Sequence, residues 1–225
     1  MTTSPDNRLL AVFPPFPRFA IRPARTALIV VDMQYVDAHQ EHGIGRKARE
    51  AGAEAMFAEY WPAVERAVAC QQRLIAAAHA AAVQVIFTRI ATQTRDARDV
   101  GRQHLLVGLP VPRDSHDACL LEELHVGPDD LVLSKTSSSP FNSTAIDRFL
   151  RNVNIDTLLV CGVVTNGCVE GTVRDASDLG YQVVMVEDAC AAVTPALHQA
   201  AITNLKDAFC NCRMTDEVVA DLQAG

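Results

Sequence analysis

The chain has 225 residues, 49% of them hydrophobic, and a formal net charge of −7 at pH 7. That length suits one α/β domain, and the apolar fraction supports a core that needs neither disulfide nor metal staples. The acidic balance and scattered basic residues argue against nucleic acid as a partner, and no apolar run approaches the ~20 residues that span a bilayer. Cys70, Cys119, Cys161, Cys168, Cys190, Cys210 and Cys212 make an odd number of thiols, several of them in apolar runs. Reduced thiols there behave as small hydrophobes, so a reducing compartment is expected. Met1–Pro17 is rich in proline, carries Asp6, and lacks the basic start and apolar stretch of a secretory signal. The expectation is a soluble, cytoplasmic protein.

In chain order, Met1–Arg25 reads as an irregular lead-in and Thr26–Asp32 (TALIVVD) as the first strand. Pro62–Ala82 is alanine-rich, with Val64, Val68 and Ile75 on one helical stripe and Pro62 suited to a first turn. Gln84–Arg89 (QVIFTR) is the second strand, and Ala91–Val126 reads as loop with one helical patch near Ala118–Leu124. Asp130–Ser134 is the third strand, and Ser143–Asn152 a helix capped by Asn142 or Ser143. Thr157–Val163 (TLLVCGV) is the fourth strand, and Cys168–Leu179 a helix that stops at Gly180. Gln182–Val186 is the fifth strand, and a helix capped at Thr194–Pro195 runs to about Ala208. A sixth strand is expected within Phe209–Met214, and Asp216 and Glu217 open a last helix.

Strands without alternation are buried on both faces, as in a parallel sheet covered by helices. The expected fold is therefore α/β: one domain over 1–225, a three-layer α-β-α sandwich around a central, mainly parallel six-stranded sheet.

In such sheets ligands bind beyond the carboxyl ends of the strands. Asp32, Arg89, Lys135, then Thr165, Asn166 and Cys168, then Glu187 and Asp188 stand at those ends. Asp32, Lys135 and Cys168 form a coherent set of acid, amine and thiol. A thiol in a first helical turn meets the positive end of the helix dipole and free N–H groups, which favour thiolate, and a nearby Lys135 would favour it further. A carboxylate closing an apolar strand needs a partner, and Lys135 is available. On position alone an inert cysteine beside a plain Asp–Lys ion pair remains open.

Three fragments carry a resemblance: Asp32-Met33-Gln34, Lys135 before Thr136–Thr144 (TSSSPFNST), and Gly162–Cys168 (GVVTNGC) followed by Val169–Ala176 (VEGTVRDA). In this order, on these strand ends, the chain resembles the isochorismatase-like cysteine hydrolases from about Thr26 onward. The resemblance implies Asp32 as general acid/base, Lys135 as its electrostatic partner and Cys168 as nucleophile, with thioester formation and hydrolysis releasing ammonia or an amine. It also implies a cis peptide between Val164 and Thr165, and an oxyanion hole from the N–H groups of Thr165 and Cys168. Members often form homodimers or homotetramers, here expected to meet through the lead-in and the 91–126 segment.

Cys168 speaks against the isochorismatase-type branch, which uses no nucleophilic cysteine. The nicotinamidase branch carries metal on an acid-x-His pair after the second strand, where this chain has Ile90–Thr94 (IATQT). His39 and His42 read as surface residues, and no metal or cofactor is expected. The remaining branch, metal-free amidases of ureido, carbamoyl and related linear amides, resembles this chain most, with a small-molecule amide as partner. One departure is Tyr35-Val36-Asp37 where the family often has Asn-Asp-Phe, which changes a pocket wall. Tyr35, Arg89, Phe141, Asn142 and Thr165 are the pocket candidates, with Arg89 suited to a substrate carboxylate or to a structural ion pair.

Rival readings are weaker. Gly43–Ala48 (GIGRKA) matches a relaxed dinucleotide fingerprint but does not follow a strand. Ser137–Ser139 lack a G-x-S-x-G elbow. A redox-sensing or small-molecule-binding protein on the same fold is the remaining alternative.

Overall fold

The computed structural model describes Val12, Pro14 and residues 16–224; residues 1–11, 13 and 15 of the expected lead-in lie outside them. Six parallel strands form one sheet in the order β3-β2-β1-β4-β5-β6. They are β1 (Thr26–Val31), β2 (Gln84–Ile90), β3 (Leu131–Lys135), β4 (Thr157–Val163), β5 (Gln182–Ala191) and β6 (Asn211–Arg213). Every residue of β1 and β4 is buried, as unalternating apolar runs require of central strands.

Eight helices are used below: α1 (Tyr35–Ala38), α2 (Gly43–Glu50), α3 (Tyr60–Ala80), α4 (Arg102–Val107), α5 (Ile146–Asn152), α6 (Glu170–Asp178), α7 (Pro195–Leu205) and α8 (Thr215–Ala224). α3 forms because Tyr60, Val64, Ala67, Gln71, Leu74, Ile75 and Ala78 fall on one face at helical spacing and are buried against β5 and α8. Burying each large apolar side chain of that stripe contributes roughly 1.5–3 kcal/mol. Gln71 is tolerated within it because its amide donates to Ala189 O at 2.8 Å.

The ends of elements differ from the sequence reading for local reasons. Asp32 stands just beyond β1 at φ +53, where a short polar residue is tolerated, and the chain turns so that Gln34 N donates to Asp32 O at 2.9 Å. α5 starts at Ile146 behind Ala145, without a side-chain cap; the expected cap Ser143 instead holds Thr136 N at 3.2 Å. β5 continues past Val186 through Glu187 and Asp188, because Asp188 is satisfied by the N–H and hydroxyl of Thr215, each at 2.8 Å. The cap at Thr194 is as expected, its hydroxyl accepting from Leu197 N at 3.2 Å. Within 91–126 the expected patch at Ala118–Leu124 is two short turns, His116–Ala118 and Glu122–Leu124, and α4 is an addition.

Gly162 is the one place where β4 admits no side chain. Its φ is +126, and a Cβ there would lie 2.1 Å from Val31 O on β1. The β4–β5 register shifts between Val160 and Gly162, where β5 carries extra residues between Met185 and Cys190, while β4 stays paired up to Val163.

Candidate active site

The order 3-2-1-4-5-6 reverses direction between β1 and β4, and the crevice beyond their carboxyl ends is where an open sheet binds ligands. Asp32 follows β1 and Cys168 lies five residues past β4, so the two straddle that crevice. Lys135 ends β3, two strands from β1, a span of roughly 10 Å at the ordinary strand spacing. Its long side chain crosses over β2, where the small Thr88 stands. The Lys135 Nζ reaches 2.7 Å from Asp32 Oδ2, 2.9 Å from Ser137 O and 3.4 Å from Cys168 Sγ. An ammonium has three hydrogens, and here three acceptors surround it.

The pair is dry, with Asp32 and Lys135 both fully buried. Thr88 Oγ1 donates to Asp32 Oδ1 at 3.0 Å, fixing the other carboxylate oxygen. Burial alone would lower the Lys135 pKa, but the negative charge of Asp32, with hydrogen bonds to Asp32 and Cys168, outweighs it, so the amine is held charged. Ser137, Ser139 and Ser143 tie down the loop behind Lys135: Ser137 Oγ donates to Ser139 O at 2.6 Å and lies 2.7 Å from Ser143 Oγ. The serine run is thus a support for the lysine.

Cys168 sits in a wide turn, Thr165–Val169, that leads into α6; Val169 N donates back to Val164 O at 3.4 Å. The expected preference for thiolate is overturned. Burial first and the Asp32 carboxylate second push the thiol well above the ordinary cysteine range, and Lys135 opposes them only in part. Ionising the thiol would place a second negative charge beside the Asp32 carboxylate in a site removed from water, which favours the protonated form.

The cis peptide also needs correction. It joins Val163 to Val164, one bond earlier than the expected Val164–Thr165. Val163 is the last residue of β4 paired with β5, opposite Ala191, so the chain leaves the sheet at the bond just after it. Thr165 is fully buried, and its hydroxyl lies 2.8 Å from His198 Nδ1 on α7.

The pocket candidates divide. Arg89 Nε donates to Ser134 Oγ at 3.0 Å and Nη1 to Ala118 O at 3.2 Å, and among the described residues no carboxylate pairs with it. Among the described residues the ion-pair alternative for Arg89 finds no partner. Phe141 and Asn142 are not brought to the triad. Their turn packs on α6, with the Phe141 ring 5.8 Å from that of Tyr181 and the Asn142 amide donating to Asp175 at 2.7 Å. Tyr35 is half-buried in an aromatic cluster, its ring 4.1 Å from that of His116 and 5.0 Å from that of His42. His39 and His42 belong to this cluster, with His42 Nδ1 3.3 Å from Asp117 Oδ1. Among the described residues no group of three or more His, Cys, Asp or Glu side chains is placed to hold a metal ion.

Four participants were missed. Thr88 was visible only as a small polar residue inside an apolar strand, and Ser143 only as a cap. Asp37 on α1 is pushed up to about 7 by burial first and by Asp32 second. His198, thirty-three positions from Thr165, carried no sequence signal.

Comparison with known proteins identifies the family. The isochorismatase domain model matches residues 26–217. The chain is 34% identical over 206 residues to the ureidoacrylate amidohydrolase RutB of Acinetobacter baylyi, covering 84% of this chain and 80% of that one. It is 29% identical over 168 residues to the N-carbamoylsarcosine amidase of an Arthrobacter species, covering 72% and 64%. The crystal structure of a cysteine hydrolase from Pseudomonas syringae pv. phaseolicola 1448A superposes with a TM-score of 0.78 at 32% identity, over 93% of this chain and 98% of that one. An all-parallel sheet with an acid, an amine and a thiol at its switch point, matched to that family model over most of its length, makes this chain a member of the isochorismatase family, among relatives named for amide hydrolysis.

Proposed function

We propose that the protein is an amidohydrolase that cleaves the C–N bond of a small linear amide, ureido or carbamoyl compound through a thioester on Cys168. The observation that carries this reading is the contact of Lys135 Nζ with both Asp32 Oδ2, at 2.7 Å, and Cys168 Sγ, at 3.4 Å, in a dry crevice. The names of the amidohydrolase relatives support the bond type.

In the first half-reaction Sγ attacks the carbonyl carbon while its proton passes to Asp32, which shares the Lys135 Nζ contact with it. A thiol held protonated at rest requires such a base, and only during attack. Charge then builds on the carbonyl oxygen. Backbone N–H groups of the turn that carries Cys168 are assigned to it, each donor worth about 2.7–4 kcal/mol in comparable sites. Asp32 returns the proton to the departing nitrogen, the C–N bond breaks, and ammonia or an amine leaves. Water next attacks the thioester, giving its proton to Asp32; the acid departs and the thiol regains its proton. Lys135 stays charged throughout and keeps Asp32 positioned. A redox-sensor reading is disfavoured because oxidation of cysteine follows thiolate character.

Arg89, without a carboxylate partner among the described residues, is assigned to an acidic group of the substrate, which fits a ureido acid. Leu105 and Leu106 on α4, 62% and 76% exposed, favour a homodimer or homotetramer joined through the 91–126 segment.

The test is ammonia release from a panel of ureido, carbamoyl and simple amides, with and without a chelator. Wild-type turnover is expected to survive chelation, and Cys168→Ala and Cys168→Ser to lose about three orders of magnitude or more. Full turnover in Cys168→Ala would sink the thioester.

A further inference from the structure

His198 lies on α7, an element that supplies no member of the triad, yet its Nδ1 is 2.8 Å from the Thr165 hydroxyl. Thr165 is fully buried and opens the turn that ends in Cys168 and Val169. No other side-chain hydrogen bond to that hydroxyl occurs among the described residues. α7 is a firm mount. Thr194 caps it, Pro195 opens it, and Ala201, Ile202 and Leu205 are buried beneath it. The imidazole therefore reaches the turn that carries Cys168 from a fixed helix and ties down its first residue.

We propose that His198 is a positioning residue, which by holding the Thr165 side chain fixes the Thr165–Val169 turn that carries Cys168 and so the backbone N–H groups of that turn. This rests on the amidohydrolase reading. The ring also lines a cavity of about 810 Å³ together with Glu59, Arg66, Cys70, Glu187 and Asp188. Burial, opposed in part by Glu187, holds the ring below the ordinary histidine pKa, so it is neutral and has one nitrogen free to accept. A neutral ring can serve the Thr165 hydroxyl without bringing a competing positive charge to the turn.

The experiment compares wild type with His198→Ala, His198→Asn, Thr165→Val and the His198→Ala/Thr165→Val double variant. Three rates are read: ammonia release from the best amide, the burst of nitrophenolate as p-nitrophenyl acetate acylates Cys168, and alkylation of Cys168 by iodoacetamide, which forms no oxyanion. His198→Ala should slow both carbonyl reactions roughly 10–100-fold, the scale of a small misalignment of reacting groups. Alkylation should stay within a factor of about two, and the double variant should be no slower than the worse single one within that same factor. His198→Asn should keep most of the rate, because its side-chain amide stands where Nδ1 stood. Wild-type acylation by His198→Ala, alkylation falling in step with acylation, or an Asn variant no better than Ala would each overturn the proposal. If the Ala variant does not fold, His198→Asn and Thr165→Val decide by the same rates. A wild type that is acylated by the ester but releases ammonia from no amide would remove the amidohydrolase reading while the burst rates still judge His198. A wild type that is not acylated at all would remove both.

Discussion

Replacing Lys135 with methionine keeps most of the side-chain length and removes only the ammonium. Asp32 is then left fully buried with Thr88 Oγ1, at 3.0 Å, as its side-chain donor among the described residues. Breaking a buried ion pair from one side costs about 3–5 kcal/mol, because a charge stays desolvated without compensation. For a chain of this size that loss corresponds to a fall in Tm of roughly 6–20 °C, at ~2–4 °C per kcal/mol. The pH dependence follows. Without the amine, the buried carboxyl has its folded-state pKa raised, so the folded variant binds more protons than the unfolded chain. The deficit should therefore shrink as the pH is lowered from 8 to 5 and grow as it rises. Removing both charges, in Asp32→Asn/Lys135→Met, replaces the pair instead of breaking it and should recover most of the loss. Urea denaturation of the single and double variants across this pH range is the assay. A single-variant loss below about 1 kcal/mol, the value of an exposed ion pair, would refute the reasoning. So would a double variant as unstable as the single one.

Three further outcomes are expected. Asp32→Asn should abolish amide turnover yet quicken alkylation of Cys168 by iodoacetamide at pH 7, since Asp32 is the largest influence after burial that holds the thiol proton; mass spectrometry with exposed Cys119 as internal reference reads this, and slower alkylation would reverse the electrostatic account. Asp37, pushed from 3.8 up to about 7, contributes stability that is fully present below its ordinary value and lost as the pH rises through about 7. Asp37→Asn should flatten that part of the stability profile and raise Tm relative to wild type at pH 8, and parallel melting profiles for the two proteins would count against it. Arg89→Met should raise KM for a ureido acid by roughly 10–100-fold, the value of a charged hydrogen bond, while sparing an uncharged carbamoyl substrate; equal effects on both would remove the carboxylate assignment.

Much of the site was legible because apolar runs end abruptly at polar residues. Thr26–Val31 can only be a strand buried on both faces, so Asp32 after it had to stand at a carboxyl edge and to need a partner. The same reasoning located Lys135 and Cys168. Phe141 and Asn142 were misplaced because adjacency to Lys135 along the chain says nothing about which way the 140–142 turn faces; packing on α6 turned them toward Tyr181 and Asp175. Ser143 was read as a cap because its local chemistry allows one, but the loop behind Lys135 claimed its hydroxyl first.

The amino-acid sequence by itself determined the layered α/β architecture and which acid, amine and thiol stand at strand ends, because burial period and chain breaks are local properties. Only the tertiary structure decided that β3, β2, β1 and β4 lie side by side, so that one lysine spans two strands to reach both Asp32 and Cys168. It also decided that the thiol rests protonated. Desolvation and the field of a neighbouring carboxylate depend on through-space distance, which linear order does not contain.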